Sequence, residues 1–437
     1  MATTRTRRDI LRATAGAVGL ASTSGLLAAC RGDSSVRAGA GTVASRGGTL
    51  RVAIEGGGAA ETLNPFTRLS PLEFARGRVV YDTLFANMDG HPAPRLARDV
   101  TTAPDRTSFT LRLREGVTWH DGSPFGAADV LFTLRTLVSP DQPFPSELGQ
   151  HLDVAGATVI DQHTLRVPVK HPVGDPATMF ATAETFIVKD GTKKFDAADI
   201  VGTGPFRMVS AEAGRSSTVR RYDRHWDGAP HLDEIVFLSL ADPQARFNAM
   251  TGGQADFAAA ISYAAAKTVR HGTGIEVRTA GDRERTGFGM VLNTQIPPFN
   301  DPRARRAVRL AVDRKQLVDS IFLGYGVVGN DLYGAGAQYF DNHDPVPRDV
   351  AQAKSLLAQA GAGTAPIVVR SAETEAGVNA SVQLFAEQMK SVGLTVQPKI
   401  VALAEMQDLK AMAQANAVAF SIGAFPLQTI YSQMQLL

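Results

Sequence analysis

Three kinds of side chain here could do chemistry, and their spacing decides whether they can. Cys30 is the single thiol, so an internal disulfide and a multi-cysteine zinc site are both excluded. Nine histidines are scattered, with no pair three or four apart on a clear helix. His120 lies among turn residues, His225 stands beside Trp226, and His163 and His171 flank a strand pattern. Each reads as a surface or hydrogen-bonded residue in preference to a metal ligand, and no metal or other cofactor is expected. Asp121, Asp129 and Asp256 could in principle pair for acid–base work. Asp121 precedes Gly122 in a turn, Asp129 opens a helical pattern, and nothing in the sequence brings them together, so they read as scaffold. No H-E-x-x-H, G-x-S-x-G or G-x-x-x-x-G-K-[ST] is present, which removes support for a zinc protease, a hydrolase nucleophile elbow or a P-loop. Gly324, Gly326 and Gly329 satisfy G-x-G-x-x-G. Dinucleotide binding needs a strand before that motif, whereas residues 310–323 read as helix, so the segment reads as a loop.

The elements that would position any site belong to a chain of 437 residues, beyond the roughly 250–300 at which single cores stop growing. Several domains are expected. Hydrophobic residues make up 44% and charged residues 20%, the balance of an ordinary globular chain. The formal charge is +2, but Arg5, Arg7, Arg8 and Arg12 stand against only Asp9 in the first 29 residues. The remainder is close to neutral, so no attraction to nucleic acid or to an anionic membrane surface is expected.

The first thirty residues read as an address. Arg7-Arg8 precedes an uncharged run of small and apolar residues over 13–29, the order of a secretory signal peptide. The run is weakly hydrophobic and at the short limit of the ~17–25 residues of a spanning helix. The arginine pair resembles a twin-arginine export signal. Leu27-Ala28-Ala29-Cys30 resembles the lipobox of a bacterial lipoprotein, which implies cleavage before Cys30 and acylation there. Two or three acyl chains anchor a protein stably where one does so marginally. Residues 30–45, rich in Gly, Ala and Ser, read as a flexible tether.

From residue 48 onward the chain carries a series of diagnostic segments. Thr49-Leu50-Arg51-Val52-Ala53-Ile54 is a strand pattern with a glycine stop. Thr62-Leu63-Asn64-Pro65 and Tyr81-Asp82-Thr83-Leu84-Phe85 follow, then Phe109-Thr110-Leu111-Arg112-Leu113 leading to Trp119-His120-Asp121-Gly122-Ser123-Pro124. Later come Gly202-Thr203-Gly204-Pro205-Phe206, Tyr222-Asp223-Arg224-His225-Trp226, and Pro298-Phe299-Asn300-Asp301-Pro302-Arg303. In order and over some 350 residues, to about Val401, these resemble the substrate-binding proteins of peptide and nickel ABC importers, the extracellular solute-binding family 5.

The residues agree with that resemblance on their own terms. Phe109, Leu111 and Leu113 alternate with polar neighbours, which predicts a strand buried on one face. Pro302 suits the first turn of a helix whose apolar face is Ala304, Val308, Ala311 and Val312, with Arg303, Arg305, Arg306 and Arg309 on its solvated side. Residues 381–392 predict a second amphipathic helix and 394–396 a following strand. Strands and helices interleave, so the class is α/β.

The resemblance implies a two-lobed periplasmic-binding-protein fold of class II type with an inserted third domain. The main lobe would comprise 46–85 and 191–275, the inserted domain 86–190, and the second ligand-binding lobe 276–437. It also implies a ligand cleft between lobes, with Leu63, Asn64, Pro65, Thr203, Gly204, Pro205, Gly289 and Asn293 as lining candidates, and closure by a hinge. Relatives carry an acid for the ligand's amino terminus beyond Leu437, and they continue for on the order of a hundred residues. The chain is therefore expected to be truncated, with an incomplete second lobe.

The expected function is that of a monomeric, lipid-anchored, extracytoplasmic protein that binds di- or oligopeptides and delivers them to an ABC permease without catalysing a reaction. A nickel or metal-chelate binder of the same fold, a secreted hydrolase and a non-binding remnant are the alternatives.

Overall fold

The computed structural model describes residues 46–422, except 68–69, 89–90, 143–145, 147, 182–184, 270–273, 280–285, 333–339, 364 and 403–404. Arg7, Arg8, Cys30, the tether and the residues beyond 422 lie outside the described residues. Within them, the three larger of four sheets organise the three largest hydrophobic cores.

The first sheet starts with β1 (Thr49–Ile54), after which Ser70 caps α1 (Pro71–Val80). Ser70 Oγ accepts from the Glu73 N–H while the Glu73 carboxylate accepts from the Ser70 N–H at 2.7 Å, a reciprocal cap that satisfies two orphan donors. The chain then leaves this sheet through β2 (Phe85–Met88), β3 (His91–Pro94), β4 (Ala97–Thr102) and β5 (Ser108–Leu113). It continues through α2 (Ala127–Leu137), α3 (Leu148–His151), β6 (Thr158–Asp161), β7 (Thr164–Pro168) and α4 (Pro176–Phe180). It returns with β8 (Phe206–Glu212), β9 (Ser216–Arg221), β10 (Glu234–Ser239), α5 (Pro243–Thr251), β11 (Phe257–Ala258) and α6 (Tyr263–Thr268). The resulting order is β11-β1-β10-β9-β8, with β1 parallel to both β10 and β11.

The excursion makes its own antiparallel sheet, β4-β5-β7-β6. Phe109, Leu111 and Leu113 are buried together with Leu165 and Val167 and pack on Val130, Leu134, Trp119 and Phe125. The period-two pattern therefore buries the face it predicts. Asp129 lies in the first turn of α2, where its carboxylate accepts from the Gly126 N–H at 2.9 Å and the Asp190 N–H at 2.8 Å.

The third sheet follows from β12 (Gly287–Leu292), α7 (Pro302–Ala311), α8 (Arg314–Ile321), α9 (Val350–Gln359), β13 (Ile367–Ser371), α10 (Val378–Lys390), β14 (Val396–Ile400), α11 (Leu409–Gln414) and β15 (Ala417–Ile422). Its order is β12-β15-β13-β14. Asp301 caps α7 and Pro302 occupies its first turn, and the same Asp-Pro start opens α5 at Asp242. The buried face of α7 is Ala304, Ala307, Val308, Leu310 and Ala311. Of its arginines, Arg303 pairs with Asp301, Arg305 donates to the Phe299 carbonyl, and Arg309 pairs with Asp331. Among the described residues no helix is long and apolar enough to cross a membrane.

Candidate functional site

Parallel strands leave their carboxyl ends open, and ligands of α/β folds bind in the crevice beyond those ends. In the first sheet the ends of β1, β10 and β11 lead to Glu55, to Leu240 and Ala241, and to Ala259 and Ala260. In the third sheet the end of β13 leads to Glu373 and Glu375. A single side chain ties the first group together. Arg246 on α5 is 2% exposed. Its Nη1 donates to the Leu240 and Ala241 carbonyls at 2.7 and 2.9 Å, its Nε to Ala259 O at 2.9 Å and its Nη2 to Ala260 O at 2.8 Å. Only a planar guanidinium can span four acceptors in this way. The last of these bonds also holds Ala260 at a φ of 47°, left-handed for a residue with a side chain.

The guanidinium spends its hydrogen bonds on backbone, so its charge is left to act on the surrounding acids. Burial lowers the Arg246 pKa, and Glu55, Asp242 and Glu375 oppose that shift. Burial pushes the Glu55 carboxyl up, Arg246 pulls it back, and Glu375 and Glu373 add repulsion. Glu375 is likewise raised by burial against the pull of Arg246. Glu373 is engaged, accepting from the Gly377 N–H at 2.6 Å and the Asn379 N–H at 2.9 Å. Among the described residues, neither the Glu55 nor the Glu375 carboxylate accepts a hydrogen bond.

Aromatic rings close one side. Tyr263 opens α6, meets Phe322 edge-on at 5.4 Å between centroids and stacks on Tyr325 at 5.9 Å. Phe322 in turn meets Phe288 on β12 at 4.9 Å. Burial raises the Tyr263 hydroxyl pKa, with Glu375 and Glu373 adding to it. Gly377 lets α10 approach this cluster: its φ is 96°, and a Cβ there would lie 2.7 Å from Ile321 Cγ2. Tyr325 belongs to the glycine segment 324–329, which is a loop after α8 with no helix starting from it among the described residues. The site thus offers two unsatisfied carboxylates, one buried cation and stacked tyrosines. It suits a ligand with a positively charged group and an apolar body.

Of the residues expected to line a cleft, Gly289 follows Phe288 of the aromatic cluster on β12. Asn64 Oδ1 accepts from the Phe66 N–H at 2.9 Å, and its carbonyl accepts from Thr67 Oγ1 at 2.9 Å, which shapes the turn. Leu63 and Pro65 line a small cavity of about 20 Å³ beside Glu73, Arg76 and Tyr81. Thr203 is 0% exposed and donates to Asp82 Oδ2 at 3.2 Å. Gly204 N–H donates to Val80 O at 2.9 Å and its carbonyl accepts from His120 Nε2 at 2.9 Å, while the Pro205 carbonyl accepts from the Tyr222 N–H. A Cβ on Gly202 or Gly204 would fall 1.9 or 2.6 Å from a backbone carbonyl oxygen of α1. This turn is a buried junction between the first two cores. Asp82 is its hub, also accepting from Trp226 Nε1 at 2.9 Å and Arg95 Nη2 at 3.1 Å. Burial would raise the Asp82 pKa, but its contacts with His225, Trp226 and Arg95 hold it below the ordinary value. Gly289 sits in β12 opposite Phe420, and Asn293 Nδ2 donates to the Ala413 and Ala415 carbonyls.

Asp121, Asp129 and Asp256 stay apart, each with its own partners: Lys189 and Ser123, Trp119 and two backbone amides, and Arg51. Glu55, Arg246, Tyr263 and Glu375 are the residues that sequence reasoning passes over. The available signal was an acid directly after an apolar strand run: Glu55 before Gly56-Gly57, and Glu373 and Glu375 after β13.

Three comparisons bear on this geometry. Residues 91–433 match the model of the bacterial extracellular solute-binding proteins, family 5. The chain is 27% identical over 306 residues to the glutathione-binding protein GsiB of Salmonella typhimurium, covering 69% of this chain and 59% of that protein. The chain thus spans about three-fifths of the length of the curated relatives it matches. Among solved structures, it superposes on DppA of Helicobacter pylori in complex with the peptide STSA with a TM-score of 0.71 at 19% identity, covering 86% and 78% of the two chains. It superposes equally, at 0.71 and 21% identity, on NikA of Brucella suis in complex with Fe(III)-EDTA, covering 86% and 80%. The α/β architecture is that of these two-lobed periplasmic binding proteins.

Proposed function

Because the chain belongs to the bacterial extracellular solute-binding proteins of family 5, we propose that it captures a peptide-like solute between two lobes and delivers it to an ABC importer. The lobes are those of the first and third sheets, with 46–85 and 191–275 forming one, 276–437 the other, and 86–190 inserted. One observation carries the choice of ligand. Glu55 and Glu375, from different sheets, are both pushed toward protonation by burial and lack hydrogen-bond donors among the described residues. A ligand ammonium placed between them would replace the missing donors and restore the ionised form. Tyr263 and Tyr325 would cover the neighbouring side chain.

The protein does no chemistry in this reading. Arg7-Arg8 would direct its export, acylated Cys30 would hold a monomer at the outer face of the membrane, and the permease subunits would be its partners. Thermal shift with di-, tri- and tetrapeptides and glutathione tests the ligand assignment. Free-amine peptides should raise the melting temperature, N-acetylated ones should not, and Glu375→Gln should weaken binding roughly ten- to a hundredfold, as expected for a lost charge-assisted bond of about 1.5–3 kcal/mol. Equal stabilisation by acetylated peptides would remove the carboxylates from the site. Stabilisation by Ni²⁺ or a metal chelate alone would replace the peptide with a metal cargo.

A further inference from the structure

Two histidines that are twenty positions apart in sequence meet on the surface of the inserted domain. His151 Nδ1 lies 2.8 Å from His171 Nε2, and the ring centroids are 5.0 Å apart at 76°. Backbone pairing holds them there. The Lys170 N–H donates to His151 O at 2.9 Å, the Asp153 N–H donates to Pro168 O at 2.9 Å, and Leu152 bridges Val169 between them. This pairing sets His151, at the end of α3, opposite Lys170, and His171, one residue further on, meets the His151 ring from just beyond the pairing. His171 is exposed and His151 half-buried, so both nitrogens are reachable from solvent.

The nitrogen separation places both rings within reach of one ion. Two imidazole nitrogens bound at about 2.0–2.1 Å lie about 2.9 Å apart when cis at a right angle, and about 3.3 Å apart in a tetrahedron. The observed 2.8 Å is the length of the N–H···N hydrogen bond between the two rings, so one ion can take both nitrogens once that proton is displaced, and among the divalent ions that imidazole suits Cu²⁺ binds most tightly, with Ni²⁺ behind it. Where one ring now donates a hydrogen bond to the other, small rotations of these accessible rings would turn both lone pairs onto one ion. We propose that His151 and His171 form a bidentate site for Cu²⁺ or Ni²⁺ on the inserted domain, with water completing the coordination. Among the described residues, no group of three or more His, Cys, Asp or Glu side chains is placed to hold an ion, so affinity must come from the pair alone. Lys170 stands between the two in sequence, but its ammonium is bonded to the Gly149 carbonyl at 2.6 Å.

Titration of the full chain with CuSO₄ or NiCl₂ by calorimetry, with electron paramagnetic resonance of the copper form, tests this. One equivalent should bind, and the copper spectrum should show coupling to two imidazole nitrogens. His151→Ala or His171→Ala should each lower affinity roughly tenfold or more and leave one coupled nitrogen, while His163→Ala should change neither. A metal-induced rise in melting temperature should disappear in both variants, a readout that also shows they fold. Unchanged isotherms in both variants, an equal loss in His163→Ala, or no binding at millimolar metal would each overturn the proposal. A metal cargo held in the cleft would survive both substitutions, so failure here is distinguishable from failure of the peptide reading.

Discussion

His120 shows how one side chain can set a pH window. Its Nε2–H donates to Gly204 O and its Nδ1 accepts from the Gly202 N–H, a pattern only the neutral ring can make. Burial lowers its pKa to about 4, against the partial support of the Gly204 bond. The unfolded chain, with an ordinary histidine near 6.5, binds more protons between those values. The stability contributed by neutral His120 is therefore complete above about pH 6.5 and is lost as pH falls toward 4, by up to about 3 kcal/mol. Melting curves across that range should slope downward toward acid, and His120→Gln should flatten the slope. An unchanged slope would place the acid sensitivity elsewhere. Glu55 and Glu375 act with the opposite sign: raised carboxyl pKa values favour the folded form at low pH, and that contribution fades as pH rises through the folded pKa. The roles of Asp129 and Pro302 were legible in the sequence because helix caps and first turns are local. The roles of Arg246 and Glu375 were not, because their partners lie on other strands and other loops, and no local spacing records that.

At the scale of elements, local patterning and close approach behave differently. The alternation of Phe109, Leu111 and Leu113 was readable because a strand buries every second residue. The helix expected over 381–392 runs from Val378 to Lys390, starting earlier because Glu373 accepts from the amides of Gly377 and Asn379. Thr203, Gly204 and Pro205 looked like cleft residues because glycine permits close approach. The structure shows that the close approach is to the carbonyls of α1. Gly377 is the comparable case within the site. Gly377→Ala would place a methyl against Ile321 at a left-handed φ of 96°, costing roughly 1–3 kcal/mol. A lower melting temperature together with weaker ligand binding is expected. Full stability in that variant would mean that α10 and α8 are free to separate.

Among the described residues, the three largest hydrophobic clusters are built around the three larger sheets, with Leu137 and Phe186 of the excursion packed into the core of the first sheet. Cores of this kind need not melt together. Scanning calorimetry should give a calorimetric enthalpy larger than the van't Hoff value, and a single two-state peak would argue that the contacts between the cores couple them fully. The three-sheet plan was legible only through family resemblance, since the pairing of β1 with β10 joins residues 49 and 234, and no pattern in either strand names its partner.

That pairing also sets a timetable for synthesis. β1 leaves the ribosome 185 residues ahead of the start of β10, which at about 5–20 residues per second is a wait of roughly 10–40 s. During it, the antiparallel sheet between them has all four of its strands and can fold, while β1 stays unpaired with its edges exposed. Of the strands in the first sheet, the one that waits longest for a partner is thus the first one made.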